Sequence, residues 1–220
     1  MGVIYSVGMK KNSFDVAPNH GRTPFFVDEV HPGDNIDELN PLYNEITGLY
    51  YLCKNVHGVP YKGLEHYRRS IWDVSNDHLL EPDEIKEILL EHDVILTEKY
   101  VAFPKTMDAY CLPFTYYTNH IEKMNELYDG FGDFYRNYMC THYPIEFSWT
   151  NMFVAREEVA DEYCKMLFDL CFNVKPPEGA KRFFGYACEK LLSPWSAFKG
   201  LKVYRGRIHV YSEKPKDANY

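Results

Sequence analysis

The sequence predicts an α/β fold with one Rossmann-like mixed sheet flanked by helices. Three observations carry this. Short apolar runs bounded by Gly, Pro and Asn alternate with longer segments of helical periodicity. Two strand-like runs, 61–67 and 93–97, flank a marked helix over Pro82 to His92, as in a βαβ unit with one strand free to run antiparallel. The 220 residues contain no repeat, linker or low-complexity tract, so residues 1–220 form one domain with a flexible tail over 212–220.

The elements follow in order. Val3 to Val7 is a short apolar run, and Phe25-Phe26-Val27 is a second. His31-Pro32-Gly33-Asp34-Asn35 is turn chemistry. Asn40 is placed to cap a helix, and Pro41 suits its first position. Leu42, Ile46, Leu49 and Tyr50 keep helical spacing until His57-Gly58-Val59-Pro60 stops the helix. Tyr61 to Tyr67 reads as a buried strand ending abruptly in His66-Tyr67-Arg68-Arg69. In the 82–92 helix, acids fill the first turn, which suits the helix dipole. Residues 98–118 form a long loop, followed by helical segments over 118–129 and 131–140. Phe147 to Val154 reads as a strand with Asn151 at its middle, and Arg156 to Phe172 as a helix. Phe183 to Phe198 reads as one further helix, and 201–204 with 208–211 as a closing pair of strands.

Composition narrows the function. At 45% hydrophobic residues the chain fills a core, which excludes disorder. A net charge of −8 lacks the basic excess of a general nucleic-acid binder. The six cysteines form no C-x-x-C pair and read as reduced, buried thiols of a cytoplasmic protein. No apolar run reaches membrane-spanning length, and no signal peptide is evident.

His66-Tyr67-Arg68-Arg69 is the sharpest chemical signal. Ligands of open α/β sheets sit beyond the carboxyl ends of strands, and guanidiniums suit a diphosphate because their planar fork donates two parallel hydrogen bonds. A solvated strand end with surface salt bridges is the competing reading. Asn44 and Glu45 are candidates for sugar contacts, or Glu45 completes a helix cap. Glu189, among Tyr186, Leu191 and Leu192, is a candidate general base if buried and a surface acid if not. Arg182 and Lys181 precede that helix within reach of a phosphate, and His120 opens another helix. No glycine-rich phosphate loop and no H-x-x-x-H or Asp-x-Asp cluster appears. The only metal candidate, Asp34-x-x-Asp37, lies in a loop. A metal-independent reaction without cofactor is therefore expected.

Several segments occur together in one order: Gly33-Asp34-Asn35-Ile36; Asn40-Pro41-x-Tyr43-x-Glu45-x-Thr47-x-Leu49-Tyr50; Tyr61-x-Gly63-Leu64-x-His66-Tyr67-Arg68-Arg69; Tyr117-x-x-x-His120-Ile121-Glu122; Asn151-Met152-Phe153; and Gly185-Tyr186-x-x-Glu189-x-Leu191-Leu192-x-x-Trp195. Over about residues 30–205 the chain resembles a family of bacterial capsular and exopolysaccharide glycosyltransferases, catalogued as a domain of unknown function and galactofuranosyltransferase-like in some members. The resemblance implies a nucleotide-sugar transferase architecture of the GT-A type, a nucleotide-sugar donor and a glycan or lipid-linked glycan acceptor at the inner membrane face. It places Arg68 and Arg69 on the leaving diphosphate, where an Asp-x-Asp motif would hold a metal. It puts Glu189 as acceptor base and Asn151 toward donor or acceptor, with His66, Tyr67, Glu45, Asn44, Tyr186, Arg182 and His120 as substrate contacts. Two departures stand out. The family's opening strand is expected to be missing, with Val3 to Val7 matching a later segment, and Glu65 stands where a small residue or Cys is common. The alternative is a non-catalytic nucleotide- or sugar-binding domain, or an assembly subunit, derived from that family.

Overall fold

In the computed structural model, residues 1–10, 20–102, 129–130, 145–148 and 150–211 are described. The expected loop residues 103–118, the helical segments after them save residue 129, and with them His120, lie outside the described residues, as does the tail from 212.

The strands are β1 (Val3–Gly8), β2 (Arg22–Phe26), β3 (Tyr61–His66), β4 (Arg69–Trp72), β5 (Val94–Thr97), β6 (Tyr100–Ala102), β7 (Ile145–Phe147), β8 (Phe153–Arg156) and β9 (Val203–Val210). The described helices are α1 (Asn40–Tyr43), α2 (Ile46–Asn55), α3 (Pro82–Glu91), α4 (Glu157–Cys171), α5 (Phe183–Cys188) and α6 (Leu192–Phe198). One seven-stranded sheet runs β2-β1-β3-β4-β9-β5-β8, and β8 returns to pair with β3. β6 and β7 form a separate antiparallel pair. β1 is parallel to both β2 and β3, so the apolar run at Val3 is an interior strand bonded on both sides. β8 is antiparallel to both β3 and β5, which makes those two parallel to each other, as the βαβ reading requires.

Alternate residues of the strands feed two cores. Val7, Leu64, Phe153, Ala155 and Leu96 face α2, α4, α5 and α6, while Ile4, Tyr61, Val154 and Ile95 face Ile85 and Leu89 of α3. The result is three layers with the sheet in the middle. Helix α3 begins as its acids predict: Glu81 and Glu84 form a reciprocal capping box.

β6 falls inside the loop expected over 98–118. Four further elements differ from the sequence reading, each for a local reason. The helix from Asn40 breaks at Asn44, whose φ of 51° and ψ of −127° no regular helix contains, and it resumes at Ile46. The helix over 183–198 splits after Cys188, because Pro194 has no N–H to offer the carbonyl of Lys190. The expected closing pair of strands is a single strand, β9. It passes straight through Gly206, where a Cβ would lie 2.4 Å from Ile71 Cγ2. The strand expected over 147–154 is interrupted between Phe147 and Phe153, where side chains take over the backbone's hydrogen bonds. Ser148 N donates to Ser193 Oγ, and Met152 N donates to Thr150 Oγ1. Asn151 therefore sits in a loop entering β8.

Arg22 of β2 and Glu65 of β3 form an ion pair, each 2% exposed at the side chain. Arg22 Nε and Nη2 donate to the two carboxylate oxygens at 3.0 and 3.1 Å, and Nη1 donates to the carbonyls of His20 and Leu80. Glu65 Oε1 also accepts the backbone N–H of Ile71. Arg22→Met strands a carboxylate in the interior and should cost about 3–5 kcal/mol. The double variant Arg22→Met/Glu65→Leu should recover most of that loss, as read from urea denaturation midpoints; a double variant as unstable as the single would argue against this account.

Candidate functional site

The carboxyl ends of β1 and β3 open into a cleft of about 520 Å³. Four chain segments supply most of its lining, with Val27 and Asn40 completing it among the described residues. β1 supplies Val7 and Gly8, followed by Met9. The break between α1 and α2 supplies Asn44 and Glu45. The turn from β3 to β4 supplies His66, Tyr67, Arg68 and Arg69. Helix α5 and its flanks supply Arg182, Tyr186 and Glu189. Thus the candidates singled out at 44–45, 66–69, 182, 186 and 189 line one cavity. Asn151 stands behind its wall.

Each side chain is held by local structure. The β3–β4 turn is bracketed on both sides: Tyr67 N donates to Val7 O and Tyr211 N donates to Arg68 O, both at 2.9 Å. His66 pairs with Arg69 across the turn, so Arg69 is the first residue of β4 rather than an extension of β3. Arg68 lies over the Tyr67 ring at 5.4 Å, and Arg182 over the Tyr186 ring at 4.6 Å. Arg182 has a left-handed backbone, fixed by its N–H donating to Pro41 O at 2.7 Å. No ion pair joins Arg68, Arg69 or Arg182 to an acid among the described residues.

The acidic side is as closely organised. Asn151, 4% exposed, donates through Nδ2 to Glu45 Oε1 at 2.7 Å and to the Gly185 carbonyl at 2.9 Å. One amide so ties the start of α2 to α5. Glu45 makes no side-chain cap on α2, which removes the capping reading. A Cβ on Gly185 would lie 2.9 Å from Asn44 Nδ2, so only glycine lets the two segments approach this closely. Asn44 Nδ2 and His66 Nε2 are buried atoms without a hydrogen-bond partner among the described residues, and His66 Nε2 lies 3.9 Å from Glu45 Oε1. Burial lowers the His66 pKa; Glu45 opposes the shift, and the three cleft arginines reinforce it. Burial first, then Glu45, pushes the Glu189 carboxyl up to about 9, against the pull of Arg69, Arg182 and Lys190.

The acids considered for metal binding are otherwise engaged. Asp34 accepts from Tyr50 Oη, Asp37 holds the His31 backbone and ring, and Glu65 is committed to Arg22. Among the described residues His57, Glu157 and Asp161 bring ligand atoms within 4.8 Å of one another. The buried Lys62 ammonium already bonds Asp161 at 2.7 Å and Glu157 at 3.3 Å there, so these acids serve an ion pair. The sequence reading missed Gly8, Met9, Val27 and Asn40 as cleft residues. For Gly8 a signal existed: it ends the first apolar run, where strand-end ligands are expected.

Glu189 leaves a stability signature. Its proton is kept in the folded state and released by the unfolded chain between the ordinary value of 4.5 and about 9. Stability from this group is therefore whole below the ordinary range and falls as pH rises through the window. Glu189→Gln removes that slope. At about pH 8 the variant should be roughly 1–2 kcal/mol more stable than the parent, and near acid pH no different, by thermal unfolding. A parent more stable than the variant at alkaline pH would contradict the buried carboxyl.

Comparison with known proteins agrees with this architecture. The profile of the domain of unknown function DUF4422 matches residues 7–200. No protein of curated function matches the chain. Among solved structures, the chain is similar to the apo structure of the WbbM bifunctional glycosyltransferase, with a TM-score of 0.75 and 22% identity over 96% of this chain. It spans 45% of the length of that protein's chain. This likeness is one of fold: a mixed sheet with flanking helices, shared with that glycosyltransferase. With the profile matching nearly its whole length, the chain belongs to the DUF4422 family.

Proposed function

We propose that this domain is a glycosyltransferase that moves a sugar from a nucleotide-diphosphate donor to a hydroxyl of a glycan or lipid-linked glycan, in the synthesis of surface polysaccharide. One observation carries the reading: Arg68, Arg69 and Arg182 converge without acidic partners, among the described residues, on the cleft that Glu45 and Glu189 also line. The fold shared with a protein named as a bifunctional glycosyltransferase supports it. Among the described residues no helix is long and apolar enough to cross a membrane.

In this reading the guanidiniums hold the diphosphate and stabilise the charge that develops on its leaving oxygen. The acceptor oxygen forms a bond to the anomeric carbon as the bond to the phosphate oxygen breaks, and that electron pair stays on the diphosphate. The acceptor proton passes to Glu189, or to Glu45 beside it. Neutral His66, Tyr67, Tyr186 and Asn44 position the sugar. No step is assigned to a metal ion, and divalent-metal chelation should leave turnover unchanged; loss with EDTA and rescue by manganese would reverse that assignment.

The nucleophilic step has a pH signature. Only the ionised minority of Glu189 can accept a proton at neutral pH, so kcat should rise with pH toward about 9. Glu189→Gln should lower turnover about 10²–10⁴-fold while leaving nucleotide affinity intact. Arg68→Ala should instead weaken nucleotide binding by about 1.5–3 kcal/mol in calorimetry. A variant at Glu189 with full turnover, or a product that retains the donor's anomeric configuration, would take the base role from that residue.

A further inference from the structure

We infer that the cleft accepts a donor whose sugar bears no acid group, and that Glu45 is the residue that turns an anionic sugar away. The inference rests on the nucleotide-sugar reading given above and narrows its substrate.

Charge balance is the first argument. Three guanidiniums face the cleft, and the Glu45 carboxylate stands against them. Glu189, held largely protonated by burial and by Glu45, adds no second negative charge at neutral pH. Among the described residues the lining therefore carries an excess of two positive charges. A diphosphate diester carries one negative charge on each phosphate, so a donor with a neutral sugar cancels that excess. A sugar carboxylate would bring a third negative charge into the same cleft as Glu45. Like charges brought together in a partly dehydrated site disfavour binding strongly.

Hydrogen-bond chemistry is the second argument, independent of the first. Glu45 can only accept, and one of its oxygens already accepts from Asn151. Asn44 Nδ2 and His66 Nε2 are buried beside it without partners among the described residues. A sugar hydroxyl both donates and accepts, so it satisfies either kind of group. A carboxylate donates nothing and would leave the Glu45 oxygen facing another acceptor. Glu45 cannot swing aside to relieve this. Its amide clamp to Asn151 joins it to the Gly185 carbonyl, and Gly48 N donates to the Glu45 carbonyl at 3.1 Å. The unusual backbone of Asn44 immediately before it is held by hydrogen bonds from Asn44 N to Asn40 O and from Thr47 N to Asn44 O.

Calorimetry on the whole chain tests this with uridine, guanosine and thymidine diphosphates, each alone, as the hexose conjugate, and as the hexuronate that differs only in its oxidised exocyclic carbon. For whichever diphosphate binds, the hexose conjugate should bind at least as tightly, and the hexuronate about 10²-fold more weakly. Glu45→Gln, with its fold checked by circular dichroism, should narrow that gap to about tenfold or less. A hexuronate that binds the parent as well as the hexose overturns the inference whether or not the variant folds. So does a folded Glu45→Gln protein that keeps the full gap. If no diphosphate binds in any form, the nucleotide-sugar reading itself fails, and this inference with it.

Discussion

The Arg22–Glu65 pair is the interaction on which the site's geometry depends. β1 runs between the two strands that carry it, so the side chains meet beneath that strand in the interior. A lone carboxylate there would be expensive to dehydrate; the guanidinium fork, with its remaining donor on two carbonyls, offsets the cost. Because Glu65 also holds the Ile71 N–H, the pair reaches across the β3–β4 turn from below and fixes where that turn ends. Arg68 and Arg69 owe their position to this arrangement. They need no acidic neighbours of their own, since backbone hydrogen bonds and buried charge beneath the turn already orient it.

Above that foundation the protein keeps polar groups unspent. Three arginines without acidic partners among the described residues, a largely protonated carboxyl, a neutral imidazole and an orphaned amide share one cavity. Each is costly for folding, and Asn44 adds a backbone conformation that side chains rarely adopt. Such concentrations of unrelieved cost are what a prearranged binding site looks like before its ligand arrives. Elsewhere the same chain spends its charges fully: Lys62, wholly buried, is matched by Asp161 and Glu157.

Much of this was legible in the residues. The strand that breaks into His66-Tyr67-Arg68-Arg69 announces a strand-end site by itself, and the acids around Pro82 announce α3. What was not legible depends on partners far along the chain. Gly206 marks close packing against Ile71 rather than a turn, and nothing in its neighbourhood tells the two apart. Asn151 sits in an apolar run that favours a strand; its hydrogen bond to Glu45, more than a hundred residues away, decides otherwise. The break at Asn44 has the same origin, since Gly185 and Arg182 pack against it from the other half of the chain.

The dispersed origin of the cleft has a consequence for how the protein is made. β3 pairs with β8 across some ninety residues, and the amide clamp spans 106. During synthesis the arginine turn emerges long before the segment that carries Asn151, Gly185 and Glu189. Until then β3 has one bare edge, and the apolar face of α2 waits for α4. Pairings at such sequence separation are slow to form, because the loop between them must be closed before any contact repays it. The interval before the second half arrives is therefore when the nascent chain is most open to wrong partners, and chaperone capture would matter most there.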